Sequence, residues 1–399
     1  MFVFWRTRGR VSVRLYAHRM RALAATLSLV LLAVPTAGAR EGTTKIAYLR
    51  GSTAMIVYLG HPLRQPIPLA KPGPPRWSGD GRLISIGGYV VGRVRLPALE
   101  LSWALTGEQA AYVTKDGGVA VWTPGGGRHV VVPNGWGAQS VAWSRDGSLA
   151  LGRAVCQGAC GRPSHNEIWV WRRGSLRRIV GPLAGDQTPL PFAWLGNRVL
   201  WWDWPDSGSI AADGISVYEN TRRVANALMY PDYVDVCGRH LAIAAGGDRY
   251  AMHGKRILFD GRDLSRDPSR SWVSPSCLPN GTLVAAASRN TVPKRIGRER
   301  RSIWQLLPTR RRLTQPPSGW TDENPRLLED GSVLFVRTRQ TARKVDQEWV
   351  TTNRVRIELL TRGRLTQVAD VSFTSRDVSG DWLNYYGHYD WPRRIAVTP

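Results

Sequence analysis

After its first forty residues the chain alternates short apolar runs, rich in Val, Ile, Leu and Trp, with Gly, Pro, Asn and Asp about every eight to twelve positions. A helical period is nearly absent, so the pattern predicts an all-β protein. One segment recurs within it: WSRDGSLAL (143–151), read as a strand, a turn on Asp146 and Gly147, and a second strand. Copies stand at 77–85 (WSGDGRLIS), 103–111 (WALTGEQAA), 277–285 (CLPNGTLVA), 327–335 (LLEDGSVLF) and 376–384 (RDVSGDWLN). Shortened copies lie at 194–202 (WLGNRVLWW) and 236–244 (VCGRHLAIA). The turn glycines 81, 107, 147, 196, 238, 281, 331 and 380 are 26 to 50 residues apart, the spacing of an array of supersecondary units.

Each full copy has four pieces, as in 140–144, 148–153, 167–172 and 175–180. Third strands are predicted at 120–122, 215–219, 256–259, 303–307 and 356–360, and fourth strands at 128–132, 310–315 and 362–367. Four antiparallel strands per unit, set radially, solve the exposed-edge problem as a β-propeller does. Seven or eight blades both fit; eight is the number of first-strand signatures. The 26 residues from Gly81 to Gly107 leave little room for a blade, and the C-terminal pieces 372–377, 382–386 and 394–398 need N-terminal strands such as 45–49 or 55–59 to complete a sheet and latch the ring.

The W-S-x-D-G-x-x-apolar core, with a fourth strand ending in R-L-T, resembles the TolB-type, WD-like propeller repeats of exported bacterial proteins. The likeness spans 45–398 and is strongest at 75–85, 141–151 and 300–367. The resemblance implies a protein-binding propeller; the small α/β domain that precedes the propeller in TolB has no matching segment in this sequence.

Composition adds a location and a partner class. Arg19 and Arg21 precede an apolar run to Val34, then Pro35 and the small-residue site Ala37-Gly38-Ala39, so residues 1–39 read as a secretory signal peptide (with Met20 an alternative start) and 40–399 as a single propeller domain. No later stretch is apolar enough to cross a membrane. The formal charge is +25; the first forty residues contribute seven arginines and no acid, leaving +18 for the rest, nearly all of it Arg, since the chain has six lysines. The excess points to a protein or anionic envelope polymer or lipid as partner, with nucleic acid not expected in an exported protein, or to solubility alone. A monomer is expected. Four cysteines in an exported chain predict two disulfides: Cys156 with Cys160, and Cys237 with Cys277 on the first strands of neighbouring repeats. No His or Cys pair recurs at a ligand spacing, so no metal or other cofactor is predicted.

Function is sought where the repeat is broken. Insertions fall between second and third strands, at 154–166, 205–213, 246–254, 290–301 and 340–353, and strand alternation opens all of them on one face. Two are basic: Lys294, Arg295, Arg298, Arg300 and Arg301 in one, with Arg337, Arg339, Arg343 and Lys344 leading into the next. Guanidinium groups pair bidentately with carboxylate or phosphate, so these are candidate ligand-binding residues; the alternative is a solvated loop. Trp202 and Trp204 of WWDWP, on the strand face opposite Trp201, are a candidate aromatic platform, against simple packing. His388 and Asp390 could serve acid–base work, and Asp203, Asp206, Asp235, Asp322 and Glu323 could supply carboxylates nearby.

There is no G-x-S-x-G elbow, H-E-x-x-H or phosphate-cradling glycine loop, and the adjacent Asp-Gly pairs do not match a sialidase Asp box. No catalytic residue is assigned. The sequence therefore predicts an exported, non-catalytic propeller presenting a basic, loop-decorated face. The alternative is a propeller enzyme, a polysaccharide lyase or hydrolase, whose site is assembled at the central channel from several blades.

Overall fold

Alternating apolar strands closed by glycine turns pair in register into eight four-stranded antiparallel blades. The computed structural model describes residues 43–50, 52–62, 64–69, 73–156, 164–184, 188–204, 215–227, 233–246, 250–291, 300–345, 348–374 and 391–399. Blade 1 joins Lys45–Arg50, Thr53–Tyr58 and Arg64–Pro68 to the C-terminal strand Ile395–Val397, which is innermost. Blade 2 is minimal: Pro75–Trp77, Ile84–Ile86, Tyr89–Val90 and Val94–Arg95. Blade 3 comprises Ala98–Trp103, Ala110–Thr114, Val119–Thr123 and Gly127–Val132; blade 4, Ala138–Trp143, Leu149–Val155, His165–Arg172 and Ser175–Ala184.

Blade 5 comprises Thr188–Leu195, Arg198–Trp204, Ile215–Glu219 and Arg222–Ala227; blade 6, Val234–Cys237, His240–Ala245, Arg256–Phe259 and Arg262–Asp263. Their sheets touch through one pairing, Ala227 with Ala245. Blade 7 comprises Arg270–Cys277, Leu283–Arg289, Ser302–Leu307 and Arg311–Arg312; blade 8, Trp320–Leu327, Val333–Val345, Glu348–Thr361 and Arg364–Thr374.

The structure thus settles the blade number at eight and fits three short strands of blade 2 and the first strand of blade 3 into the interval from Gly81 to Gly107. The ring is latched as expected, by Ile46 opposite Val397 and Tyr48 opposite Ile395. Two expectations change. The eighth inner strand is Ile395–Val397, while the signature at 376–384 lies wholly outside the described residues. And 340–353 is not an insertion loop: it prolongs the second and third strands of blade 8, pairing Arg343 with Val350 and Lys344 with Trp349.

The repeated motif folds for a local reason. In blade 2 the Asp80 carboxylate accepts from Ser78 Oγ (2.6 Å) and from the Arg82 amide (3.0 Å), while Ser78 and Leu83 close the hairpin backbone-to-backbone at 2.9 Å. Asp146, Asn280 and Asp330 accept from the amides of Ser148, Thr282 and Ser332 in the same way. The following glycine is in the left-handed region, with φ of +82° at Gly147 and open space around its Cα, so conformation rather than room requires glycine there. At Gly79 room decides: a Cβ would stand 2.4 Å from the carbonyl oxygen of Ala104 in the next blade.

The core lies between blades. Ala47, Leu49, Ile56 and Trp77 pack blade 1 against blade 2; Ala111, Val121, Val141 and Trp143 pack blade 3 against blade 4; one continuous cluster runs from blade 5 to blade 8. The motif tryptophans do more than fill it. Trp103 donates from Nε1 to the carbonyl of Arg76 (3.1 Å), Trp143 to Ser102 (3.0 Å), Trp194 to Ala142 (3.1 Å) and Trp77 to Ala396 (3.2 Å). Each indole therefore ties its inner strand to that of the blade before it. Where the tryptophans stop, other ties take over. Cys237 and Cys277 form a disulfide across blades 6 and 7, with Cα atoms 5.7 Å apart. The Asp235 carboxylate accepts from the Cys277 amide (2.8 Å), and Ser276 Oγ accepts from the Leu327 amide (3.1 Å). Cys156 is also disulfide-bonded, while Cys160 lies outside the described residues.

Replacing Trp143 by Phe keeps most of the packing but strands the Ser102 carbonyl, and should lower unfolding free energy by about 1–2 kcal/mol. Replacing both Cys237 and Cys277 by Ala should remove about 2–4 kcal/mol by freeing the unfolded chain. Urea unfolding checks both, with m unchanged for the Phe variant and raised for the chain without the cross-link.

Candidate functional site

Antiparallel pairing and the ring bring the inner strands of all eight blades around one central channel enclosing about 1770 Å³. Its lining includes the turns between first and second strands, at Asp80, Gly81, Gly238, Pro279, Glu329 and Asp330. None of the described residues of the second-to-third-strand connections lines it. Through these first-to-second-strand turns the void reaches the face opposite the one on which the sequence placed the insertions.

Along an inner strand, the residues one and three positions before the repeat's opening residue point to the same side. They face the channel: Arg76, Glu100, Ser102, Ser140, Asn324 and Arg326 all line it. Arg76 and Glu100 come from adjacent blades. Glu100 is half-buried at the channel wall, and this burial pushes its pKa up to about 7 despite the opposing pull of the Arg76 charge. Burial likewise raises the pKa of Asp235, against the charge of Arg326 and the hydrogen bonds from the Cys277 and Val236 amides. The channel lining itself carries Lys45, Arg76, Arg82 and Arg326 against Asp80, Glu100, Glu329 and Asp330, with Asp235 buried behind it. Lys45 donates from Nζ to the Gly81 carbonyl (3.0 Å) and lies over the Trp77 ring.

Asn324 is a non-glycine residue with φ +48°, and Ser274 at the matching place in blade 7 has φ +50°. Both precede a proline, at Asn324-Pro325 and Ser274-Pro275, and both sit in bulges of the inner strand. A left-handed conformation outside glycine is costly, and here it accompanies the turn of Asn324 and Arg326 toward the channel.

The residues singled out from the sequence are dispersed. Lys294, Arg295, Arg298 and His388 lie outside the described residues, as does Asp206. Arg300 is exposed and donates to the Pro316 carbonyl. Arg301 is not a surface residue. It is 2% exposed, with Nη1 donating to Glu323 Oε1 at 2.7 Å, and Glu323 also accepts from Trp391 Nε1 at 3.2 Å. Arg337 is likewise buried and grips Asp322 bidentately at 2.7 and 2.9 Å. The structure buries Arg337, Asp322 and Glu323 in strands and Arg301 just ahead of one, so their charges had to pair, since an unpaired buried charge is prohibitively costly.

Arg343 and Lys344 are in the paired hairpin of blade 8. Trp202 lines the channel, Trp204 shares its strand, and Trp201 stacks on Tyr218 with ring centroids 4.1 Å apart. Among the described residues no histidine lines the channel: His240 holds Asp260 at 2.7 Å and His165 meets Glu167 at 3.5 Å, both away from it. No group of three His, Cys, Asp or Glu side chains suited to a metal ion occurs among the described residues.

Sequence reasoning passed over Arg76, Glu100 and Arg326. A signal was available: the position before the opening residue is Ser102, Ala142, Ala193 and Ser276 in four copies but Arg76, Asp235 and Arg326 in three, where a charge has no place in a packed strand.

No family model and no curated protein matches this chain. Solved structures resembling it are β-propeller domains. The acylaminoacyl peptidase of Pyrococcus horikoshii shares 12% identity at a TM-score of 0.43, over 80% of this chain and 48% of that one, so the chain spans about half the peptidase's length. The propeller domain of the trilobed protease from Pyrococcus furiosus shares 12% identity at 0.38, over 68% and 98%. Apo AztD from Citrobacter koseri shares 11% at 0.31, over 89% and 97%.

Two outcomes follow. A raised carboxylate pKa means the folded state binds the proton more tightly, so the Glu100 contribution is fully present below about pH 4.5 and is lost as pH rises through about 7. Glu100→Gln should therefore gain stability relative to the parent between pH 5 and 8, by about 2 kcal/mol at the upper end; thermal melts across that range check it. Arg301→Ala should cost about 3–5 kcal/mol by leaving Glu323 buried without its partner, while Arg300→Ala should change stability by no more than about 0.5 kcal/mol.

Proposed function

We propose that this chain is an extracytoplasmic, non-catalytic binding propeller of the TolB type that engages a protein or an anionic envelope component. The observation that carries the reading is the state of the buried acidic groups on the inner strands of blades 6 and 8. Asp235, Asp322 and Glu323 are each held by backbone amides or by a buried arginine. They serve the frame, leaving the ring as a rigid mount for its outer surface. Location outside the cytoplasm is supported by the Cys237–Cys277 disulfide and by the leader pattern in residues 1–39. Monomeric behaviour is part of the proposal.

The test uses residues 40–399, immobilised and exposed to the extracytoplasmic fraction of the producing cell, beside a Lys294→Ala/Arg295→Ala/Arg298→Ala/Arg300→Ala variant. The reading expects a discrete protein or polymer captured in stoichiometric amount by the parent and at least several-fold less by the variant. Equal recovery on both would reject the basic face. Turnover of an envelope polysaccharide without stable capture would reject the binding role itself.

One observation favours a second reading, an enzyme with its site at the channel: Glu100, poised near neutral pH beside Arg76 in a large void, has the protonation behaviour of a general acid. Loss of any such turnover in Glu100→Gln, with the fold intact, would support it.

A further inference from the structure

The channel charges balance, so the +18 of residues 41–399 must reside elsewhere. The fourth, outermost strands hold much of it. In blade order they read RQPIP, VR, GRHVVV, SLRRIVGPLA, RRVANA, RD, RR and RLTQVADVSFT. Every blade contributes at least one arginine, there is no lysine or glutamate, and aspartate appears only as Asp263 and Asp370. All of these arginines are exposed. Charge on an outer strand protects a sheet edge from pairing with another chain, but either sign would do that. The sequence uses one sign eight times around the ring.

How these arginines are held separates them from those of the interior. Among the described residues only Arg178 and Arg222 of this set meet a carboxylate, of Glu167 and Glu219. Others are positioned by neutral partners. Arg312 donates to Gln315 Oε1 (2.8 Å), Arg311 to Gln305 Oε1 (3.0 Å), Arg223 to Asn226 and Arg64 to the Val368 carbonyl of the neighbouring blade (3.4 Å). Arg95 and Arg128 lie over the rings of Tyr89 and Tyr112. These contacts restrain the side chains and leave their charge uncompensated. Inside the blades the reverse holds, with Arg301 and Arg337 each matched to a carboxylate.

We infer that the propeller's circumference is a binding belt for a flexible linear polyanion carrying phosphate or carboxylate groups. The inference rests on the binding function proposed above and moves the contact surface from the loop face to the rim. Geometry selects a polymer over a membrane. A flat anionic surface can meet only the arc of blades turned toward it, whereas a flexible chain can follow successive blades, each contact raising the effective concentration for the next. Guanidinium groups suit both phosphate and carboxylate bidentately.

The experiment titrates residues 40–399 with inorganic polyphosphate of about 100 units and of about 10 units, across a salt series, and with anionic phospholipid vesicles. The belt predicts much tighter binding of the long polymer per phosphate, and a steep fall of affinity with salt. Arg128→Gln/Arg223→Gln/Arg364→Gln, drawn from three blades, and Arg311→Gln/Arg312→Gln should each reduce the salt slope by about one per arginine removed, while Lys at the same positions keeps it. Thermal melts should show these exposed replacements folded. Unchanged slopes in both Gln variants, equal binding of long and short polymer per phosphate, or binding to vesicles with none to polymer would overturn the belt. Polymer binding abolished by Lys294→Gln/Arg295→Gln/Arg298→Gln but not by rim replacements would also overturn it, while leaving the proposed binding function standing.

Discussion

Everything in this molecule depends on how neighbouring inner strands are fastened to one another. A propeller blade shares few backbone hydrogen bonds with the next, so the ring must be held by side chains. Here four indoles each donate to a carbonyl of the preceding blade's inner strand, at 3.0 to 3.2 Å, and for three of them it is the carbonyl one residue before that blade's opening position. The same tryptophans fill the space between blades. One residue type thus supplies both the apolar burial that drives blades together and the polar contact that sets their rotation about the axis. The first of these ties, Trp77 to Ala396, also crosses the point where the two ends of the chain meet.

The second half of the ring has no such indole at the opening position, which is Val236, Cys277 and Leu327 in blades 6 to 8. A disulfide, the Asp235 carboxylate and the Ser276 hydroxyl take its place. These are stronger or more polar fasteners, and they come with an ionisable group near the channel and inner-strand bulges at Ser274 and Asn324. Bulges interrupt inner strands in both halves, at 98–100, 138–140 and 191–193 beside the tryptophan ties and at 273–276 and 323–326 beyond them. Polar side chains face the channel in both halves as well, among them Arg76, Glu100 and Ser140 in the first and Asn324 and Arg326 in the second. Charge is segregated, compensated in the interior and around the channel, and left in excess at the rim.

Much of this was legible in the sequence because a repeat amplifies weak signals. The Asp-Gly turns reported hairpins through a mechanism, an Asx bond followed by a left-handed glycine, and all seven turn glycines among the described residues, from Gly81 to Gly331, have positive φ. The disulfide between Cys237 and Cys277 was readable because equivalent positions on adjacent repeats must lie close. The loop inference was weaker for a physical reason. Polar, Arg-rich sequence looks the same whether it forms a solvated loop or an outer hairpin, as 340–353 shows. Burial of Arg301 and Arg337 could not be seen either, because their partners Glu323 and Asp322 are distant in sequence and are themselves unremarkable as single charges. The channel residues Arg76 and Glu100 were missed through attention to insertions, although they break the repeat inside its strands.

The central claim, that indole-to-carbonyl bonds between adjacent inner strands hold the ring, is tested most directly by hydrogen exchange at the indole N–H groups, resolved by NMR and assigned with single Trp→Phe replacements. The account predicts that Trp77, Trp103, Trp143 and Trp194 exchange slowly, with protection approaching that of the most stable backbone amides. Exchange of these four at the rate of exposed indoles, in a folded protein, would contradict it.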